Sequence, residues 1–223
     1  LIVEALFKRL DQSIRIHLLI QDGDKFVNGQ KLIELNGPTK SLLAGERTAL
    51  NIAMHLSGIA TKTSLMIAEL KGTNVQMTDT RKTTPGLRIL EKYATRCGGG
   101  TNHRMGLDDA AMLKENHLAW SSEISSAIQT IRKSSPWTSK VIVEAETPKQ
   151  AEQAVMAGAD GILLDEMSPE VILDLVPRLR SLAKLEMKQR ISNQVIIEVS
   201  GIDPRELKVY ASLGVDLIST SAP

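Results

Sequence analysis

The chain has 223 residues, enough for one large domain or one domain with a small companion. Its 42% apolar content is ordinary for a globular protein, and a formal net charge of +1 excludes a global basic field for nucleic acid. Aromatic residues, at 3%, are too few for base-stacking platforms. Cys97 is the lone cysteine, which excludes an internal disulfide and a cysteine metal cluster and fits a cytoplasmic setting. No run of about 18 apolar residues exists, so neither a membrane nor nucleic acid is expected as a partner. Any anion site must be a local concentration of charge. The first residue is Leu1 rather than Met, so a missing start is expected.

Taken in order, Leu1 to Leu10 reads as the tail of a helix. Ile14 to Ile20 and Lys31 to Leu35 read as strands, with Asp22-Gly23-Asp24 and Asn28-Gly29-Gln30 as turns. Gly37-Pro38-Thr39 closes this small sheet-rich unit. Ser41 to Leu70 is helical, with Leu42, Leu43, Ala49, Leu50, Ile52 and Ala53 on a broad apolar face; Gly58 is expected to split it into two helices. From Asn74 the rhythm changes. Short apolar runs recur at Val75–Met77, Ala110–Leu113, Val141–Val143, Gly161–Leu164, Val195–Val199 and Leu217–Ser219. Helical patterns separate most of them: Leu87–Arg96, Ser121–Lys133, Pro148–Ala157, Pro169–Leu185 and Pro204–Leu213. The alternation predicts βα units and a parallel sheet, with barrel and open sheet both open on a count of about six strands. Two units end alike, in Ala157-Gly158-Ala159-Asp160-Gly161-Ile162 and Leu213-Gly214-Val215-Asp216-Leu217-Ile218. The glycine after each helix reads as a cap, and an acid precedes each strand.

The chemistry falls at the ends of these strands. Read forward, they finish in Arg81-Lys82, Lys114, Glu144, Asp165, Ser200-Gly201 and Ser219-Thr220-Ser221, where a βα barrel places its active site. Any one of these is more simply a solvated strand end; their recurrence points to function. Asp79 to His117 is the densest stretch. It gathers Arg81, Lys82, His103, Arg104 and Lys114 from three loop or strand-end positions, punctuated by Gly98-Gly99-Gly100, which reads as backbone free to approach a ligand. The stretch is read as a site for a highly anionic substrate. Cys97 reads as a small buried hydrophobe, His17 and His55 as structural, the eight methionines as core, and His117 as either structural or pocket-lining.

At these residues the chain resembles the quinolinate phosphoribosyltransferase family. The phrases are GERTALN (Gly45 to Asn51), LSGIAT (Leu56 to Thr61), DTRKTTPGLRILEKYATRCGGG (Asp79 to Gly100), NHR (Asn102 to Arg104), LKENH (Leu113 to His117), AGADGILLD (Ala157 to Asp165) and EVSG (Glu198 to Gly201). The resemblance covers nearly the whole chain. It implies an α/β fold: a small N-terminal α/β sandwich with connecting helices over residues 1–70, then an incomplete, seven-stranded α/β barrel over residues 71–223. The family's chains run longer at both ends, so truncation at the start and the end is expected.

The resemblance also implies roles. Arg47 matches an arginine that reaches quinolinate in the neighbouring subunit of a homodimer, with higher oligomers left open. Arg81, His103 and Arg104 match the grip on the two carboxylates. Lys82 and Lys114 match lysines at the junction of quinolinate and phosphoribosyl pyrophosphate. Glu144 and Asp165 match the acidic pair near the ribose hydroxyls and Mg²⁺. Ser200 and Gly201, with Ser219 and Ser221, match phosphate-binding loops. Two positions depart from the family. Ile202 stands where a second glycine is usual, and Ser221 stands for a glycine, although a serine hydroxyl also donates to phosphate.

The implied activity is phosphoribosyl transfer to quinolinate with decarboxylation, giving nicotinate mononucleotide, pyrophosphate and CO₂ in NAD biosynthesis. Arginine forks suit carboxylates, lysines suit phosphates, and Mg²⁺ takes one or two carboxylates plus substrate phosphates. Three alternatives stand beside it: the related molybdenum-transport family of the same fold, a lysine Schiff-base aldolase using Lys114, and a degenerate binding-only protein.

Overall fold

The protein is described by a computed structural model covering residues 1–118, 123–185 and 194–223. It opens with helix α1 (Ile2–Leu10), antiparallel strands β1 (Arg15–Leu18) and β2 (Ile33–Asn36), and helix α2 (Thr39–Glu69). Phe7, Ile14 and Ala49 form a small buried cluster. Gly45 makes it possible for α2 to meet α1, because an added Cβ would lie 2.7 Å from Phe7 and from Leu10.

The expected break at Gly58 does not occur: α2 runs unbroken for 31 residues. Gly58 has no heavy atom within 4 Å of its Cβ position, so it costs only helix propensity, about 1 kcal/mol against alanine. Tertiary contacts at both ends outweigh that, with Ala49 in the small cluster and Met66 in the main core.

After α2 come β3 (Gln76–Thr78), α3 (Arg88–Cys97), β4 (Ala110–Leu113), the single turn α4 (Glu115–Leu118) and α5 (Ile124–Ser134). They are followed by β5 (Lys140–Ala145), α6 (Pro148–Met156), β6 (Gly161–Asp165), α7 (Pro169–Leu185) and β7 (Ile196–Ser200). A 3-10 turn (Pro204–Glu206), α8 (Leu207–Ala211) and β8 (Leu217–Ser219) complete the chain. Each run read as a strand or helix is present; Ser121 and Ser122 of one predicted helix lie outside the described residues. Strands β3 to β8 form one parallel sheet of six, in the order β3-β8-β7-β6-β5-β4. The seventh strand implied by the resemblance is reduced to Thr101, a single parallel bridge to Thr78 on the free edge of β3. Gly98 to Gly100 precede it, and residues 102–104 after it take no regular structure.

Val141, Val143, Ile162, Leu164, Ile197 and Val199 pack into the main core with Ile172, Leu175 and Leu179 of α7. The two-residue period of a strand therefore turns Glu144, Asp165, Glu198 and Ser200 to the opposite face. A repeated device secures the N-terminal ends of the strands. Arg132 donates to the Gly158 carbonyl at 2.8 Å and to Asp160 at 3.0 Å, while Asp160 accepts the Val141 N–H at 2.7 Å. Likewise Arg180 donates to the Gly214 carbonyl at 3.1 Å and to Asp216 at 2.8 Å, while Asp216 accepts the Ile197 N–H at 2.7 Å. Gly158 and Gly214 take the expected left-handed caps, at φ 85° and 81°.

Candidate active site

Because the six strands are parallel, their C-terminal ends share one side of the sheet. Arg81-Lys82, Lys114, Glu144, Asp165, Ser200-Gly201 and Ser219 to Ser221 all lie there. Leu113 pairs with Val143 in register, which sets Lys114 beside Glu144, and the two form an ion pair. The Lys114 N–H donates to His117 Nδ1 at 3.1 Å, so His117 fixes the lysine's backbone. Asp165 and Ser200 are register partners on β6 and β7, and the Asp165 carboxylate has no hydrogen-bonding partner among the described residues. Gly201 is left-handed (φ 73°), and an added Cβ would lie 2.6 Å from Glu166 Cγ. Ile202, in place of the family's second glycine, packs against the main core and anchors this loop.

The loop after β3 is built by α3. Glu91 accepts the Thr84 N–H at 3.0 Å and contacts His55 of α2 at 2.8 Å. Burial pushes the Glu91 carboxyl up, but the bonds from Thr84 and His55 outweigh it and hold the group below the ordinary carboxylate value. Arg88 donates to the carbonyls of Arg81 (3.4 Å) and Met105 (3.2 Å), tying the loop to the segment that carries Arg104. His55 is structural, as expected. His17 is exposed, 3.9 Å from Glu34.

Arg104 donates through Nη1 to the Ala110 carbonyl at 2.8 Å. Burial lowers its pKa, and so does the neighbouring Arg81, against the opposing pull of Asp109 and Glu144. Arg81 and Arg104 are thus close enough to repel. Neither they nor Lys82 pairs with a carboxylate among the described residues. Cations held together without a direct ion pair are a standing attraction for an anion.

His103 sits beneath them. Its Nδ1 accepts the Arg104 N–H at 2.8 Å, and its Nε2 lies 3.4 Å from Glu198 Oε2. Glu198 is only 3% exposed, and its Oε1 has no hydrogen-bonding partner among the described residues. Sequence reading quoted Glu198 in a phrase and gave it no role, although a carboxylate inside an apolar strand was the signal. Asp79, Lys92 and Asn102 likewise stand inside quoted phrases without a role, and a lysine on a helix reads as solvated; Lys92 is 1% exposed and ion-paired with Asp79.

The reading of Gly98 to Gly100 as a ligand approach is corrected. A Cβ on Gly98 would lie 2.4 Å from the Ala60 carbonyl oxygen, and one on Gly100 would lie 2.8 Å from Thr95 Cγ2. These glycines seat the end of α3 against α2. Cys97 is half-buried rather than buried. It lines an apolar cavity of about 1000 Å³ with Leu18, Leu35, Ala49, Leu56 and Tyr93, which holds none of the strand-end groups. A smaller cavity of about 30 Å³ lies beside the chemistry, lined by Asp79, Thr80, Lys82, Thr83, Thr220 and Ser221 among others. Arg47 lies exposed on α2, between the buried Gly45 and Ala49, without an ion-pair partner among the described residues.

A parallel βα sheet thus carries clustered cations and two carboxylates at its strand ends, the side on which enzymes of βα architecture hold their active sites. Residues 59–223 match the family model for the quinolinate phosphoribosyl transferase C-terminal domain, and residues 2–57 match that for the N-terminal domain. The chain belongs to the quinolinate phosphoribosyl transferase family. A probable nicotinate-nucleotide pyrophosphorylase (carboxylating) of Methanothermobacter thermautotrophicus is 43% identical over 210 residues, which is 93% of this chain and 73% of the relative. Its counterpart in Bacillus subtilis is 39% identical, covering 98% of this chain and 72% of the relative. The nicotinate-nucleotide pyrophosphorylase structure from Francisella tularensis matches with a TM-score of 0.89 at 37% identity, over 99% of this chain and 74% of that one. The Ehrlichia chaffeensis structure of the same name gives 0.87 at 33%, over 99% and 76%.

Proposed function

We propose that the chain transfers the phosphoribosyl group of phosphoribosyl pyrophosphate to quinolinate and decarboxylates the product, giving nicotinate mononucleotide, pyrophosphate and CO₂. The observation that carries this is the pair of guanidinia, Arg81 and Arg104, in no direct ion pair among the described residues, beside the Lys114–Glu144 pair and an Asp165 carboxylate without a hydrogen-bonding partner there. Two arginine forks suit a pyridine dicarboxylate. The pyridine nitrogen attacks the anomeric carbon as its bond to the diphosphate oxygen breaks, and the diphosphate leaves with those electrons. Glu144 and Asp165, facing the ribose, favour the positive charge that develops on it. The C2 carboxylate then departs as CO₂, its electron pair is held by the alkylated ring, and C2 takes a proton. Lys114 and Lys82 orient the carboxylate that leaves. The ion pair of Lys114 is not the apolar setting that a Schiff-base amine needs, which weighs against the aldolase reading.

Two carboxylates fit a Mg²⁺ ion that substrate oxygens complete; the described residues hold no cluster of three acids or histidines that would cage it alone. Glu144 and Asp165 would hold it, and it would offset charge on the diphosphate. Ser200, Gly201, Ser219 and Ser221 would take the 5′-phosphate. We also propose a cytoplasmic homodimer in which Arg47 serves the partner's site; among the described residues no helix is long and apolar enough to cross a membrane.

Incubation with phosphoribosyl pyrophosphate, Mg²⁺ and either quinolinate or nicotinate tests the reaction. Quinolinate should release CO₂, and nicotinate should react about 10⁴-fold more slowly, because a site built for a group rejects an analogue lacking it. Comparable turnover of nicotinate would sink the proposal. Sharing of sites is tested by mixing Arg47→Ala with Lys114→Ala, each inactive alone. Subunit exchange should restore about a quarter of wild-type activity, since half the dimers are mixed and each carries one intact site. Demonstrated exchange without recovery refutes the sharing.

A further inference from the structure

Asp79 comes two residues before Arg81 and three before Lys82, yet it pairs with neither. Its carboxylate is turned away, 6% exposed, toward Lys92 of α3. Asp79 Oδ1 also accepts the His103 N–H at 2.8 Å, and Oδ2 accepts Asn102 Nδ2 at 2.6 Å. Lys92 Nζ donates to the His103 carbonyl at 2.9 Å, and Asn102 Nδ2 donates to the Lys92 carbonyl at 2.8 Å. The peptide groups of His103 are therefore held at both N–H and C=O by the two members of one buried ion pair.

Stability is a poor explanation for such a pair, because desolvation offsets much of the attraction and well-packed apolar side chains serve as well. Position explains it better. A carboxylate released at Asp79 would compete with substrate for Arg81, Lys82 and Arg104. A released His103 segment would let Arg104 move away from Arg81, down the gradient of their repulsion. We propose that Lys92 is a positioning residue: it sequesters Asp79 and pins the His103–Arg104 segment, so that the guanidinia of Arg81 and Arg104 stay together, unpaired and available to a dicarboxylate. This rests on the reaction proposed above, and Lys92 itself touches no substrate.

The test is Lys92→Met in the full chain, with Lys92→Arg as the conservative partner. Calorimetric titration with quinolinate alone should show affinity falling about tenfold or more in Lys92→Met, the scale of one charge-assisted hydrogen bond, with partial rescue in Lys92→Arg. In steady-state kinetics the KM for quinolinate should rise in step while that for phosphoribosyl pyrophosphate changes less than about twofold. Hydrogen exchange at the His103 amide should quicken. Unchanged quinolinate affinity in a folded Lys92→Met overturns the proposal, and so does an equal rise in both KM values, which marks general loosening. Should Lys92→Met fail to fold, Asn102→Ala leaves the ion pair in place and loosens Asp79; a smaller loss of quinolinate affinity supports the role, and no change overturns it. A wild type that binds quinolinate without turnover sinks the proposed reaction, while the calorimetric arm still decides the role of Lys92.

Discussion

Replacement of Gly98 by alanine separates two explanations of the glycine triplet. Gly98 has φ −76° and ψ −2°, a conformation open to any residue, so the backbone does not oppose the change. On that ground alone alanine would stabilise by about 0.4–1 kcal/mol through the unfolded chain. The added carbon, however, would sit 2.4 Å from the Ala60 carbonyl oxygen and 2.6 Å from Thr63 Cβ. Neither atom is the free end of a flexible side chain, so α3 and α2 must part. Overpacking of this kind costs about 1–3 kcal/mol, and a backbone oxygen at such range belongs at the upper end. A net loss of about 2 kcal/mol follows. Urea unfolding followed by circular dichroism should show a lower midpoint with an unchanged slope. Gly86→Ala is the control. Gly86 is left-handed at φ 81° with open space around it, so it should lose only the backbone term of about 1–2 kcal/mol, with no shift of helices. A Gly98→Ala protein as stable as wild type refutes the packing argument, and one that is stable but no longer binds anions revives the ligand-approach reading.

Two further outcomes are expected. Glu166, exposed and left-handed at φ 52°, carries a strain that glycine would relieve, so Glu166→Gly should gain about 0.5–1 kcal/mol in urea unfolding; a loss would mean its side chain contributes more than it costs. Glu91 is held below its ordinary value of 4.5, so its contribution to stability is fully present above that pH and lost as pH falls through the lower folded value. Glu91→Gln should therefore flatten the decline of stability as pH falls below about 4.5, and a decline as steep as in wild type would show that acid unfolding runs through other carboxylates.

Much of the fold was legible in the sequence because each strand–helix unit writes its own period. Ala110–Leu113 and Leu217–Ser219 were located to the residue, and the strand-end polar residues followed once the strands were parallel. Gly158-Ala159-Asp160 and its copy at Gly214 announced a cap and an acid, but not Arg132 and Arg180, which reach them from helices one unit earlier. What the sequence determined was therefore local: element type, strand direction and which residues end each strand. Only the tertiary structure decided what depends on residues far apart in the chain. Gly58 leaves α2 whole because separate contacts hold its two ends. Gly98 serves α2 because Ala60 lies against it. Lys92 is buried because Asp79 and the His103 carbonyl surround its ammonium, a set that no helical period reveals. Local patterns report which face of an element is apolar; they are silent on which polar group on another element completes a polar one, and that pairing sets the charges of this site.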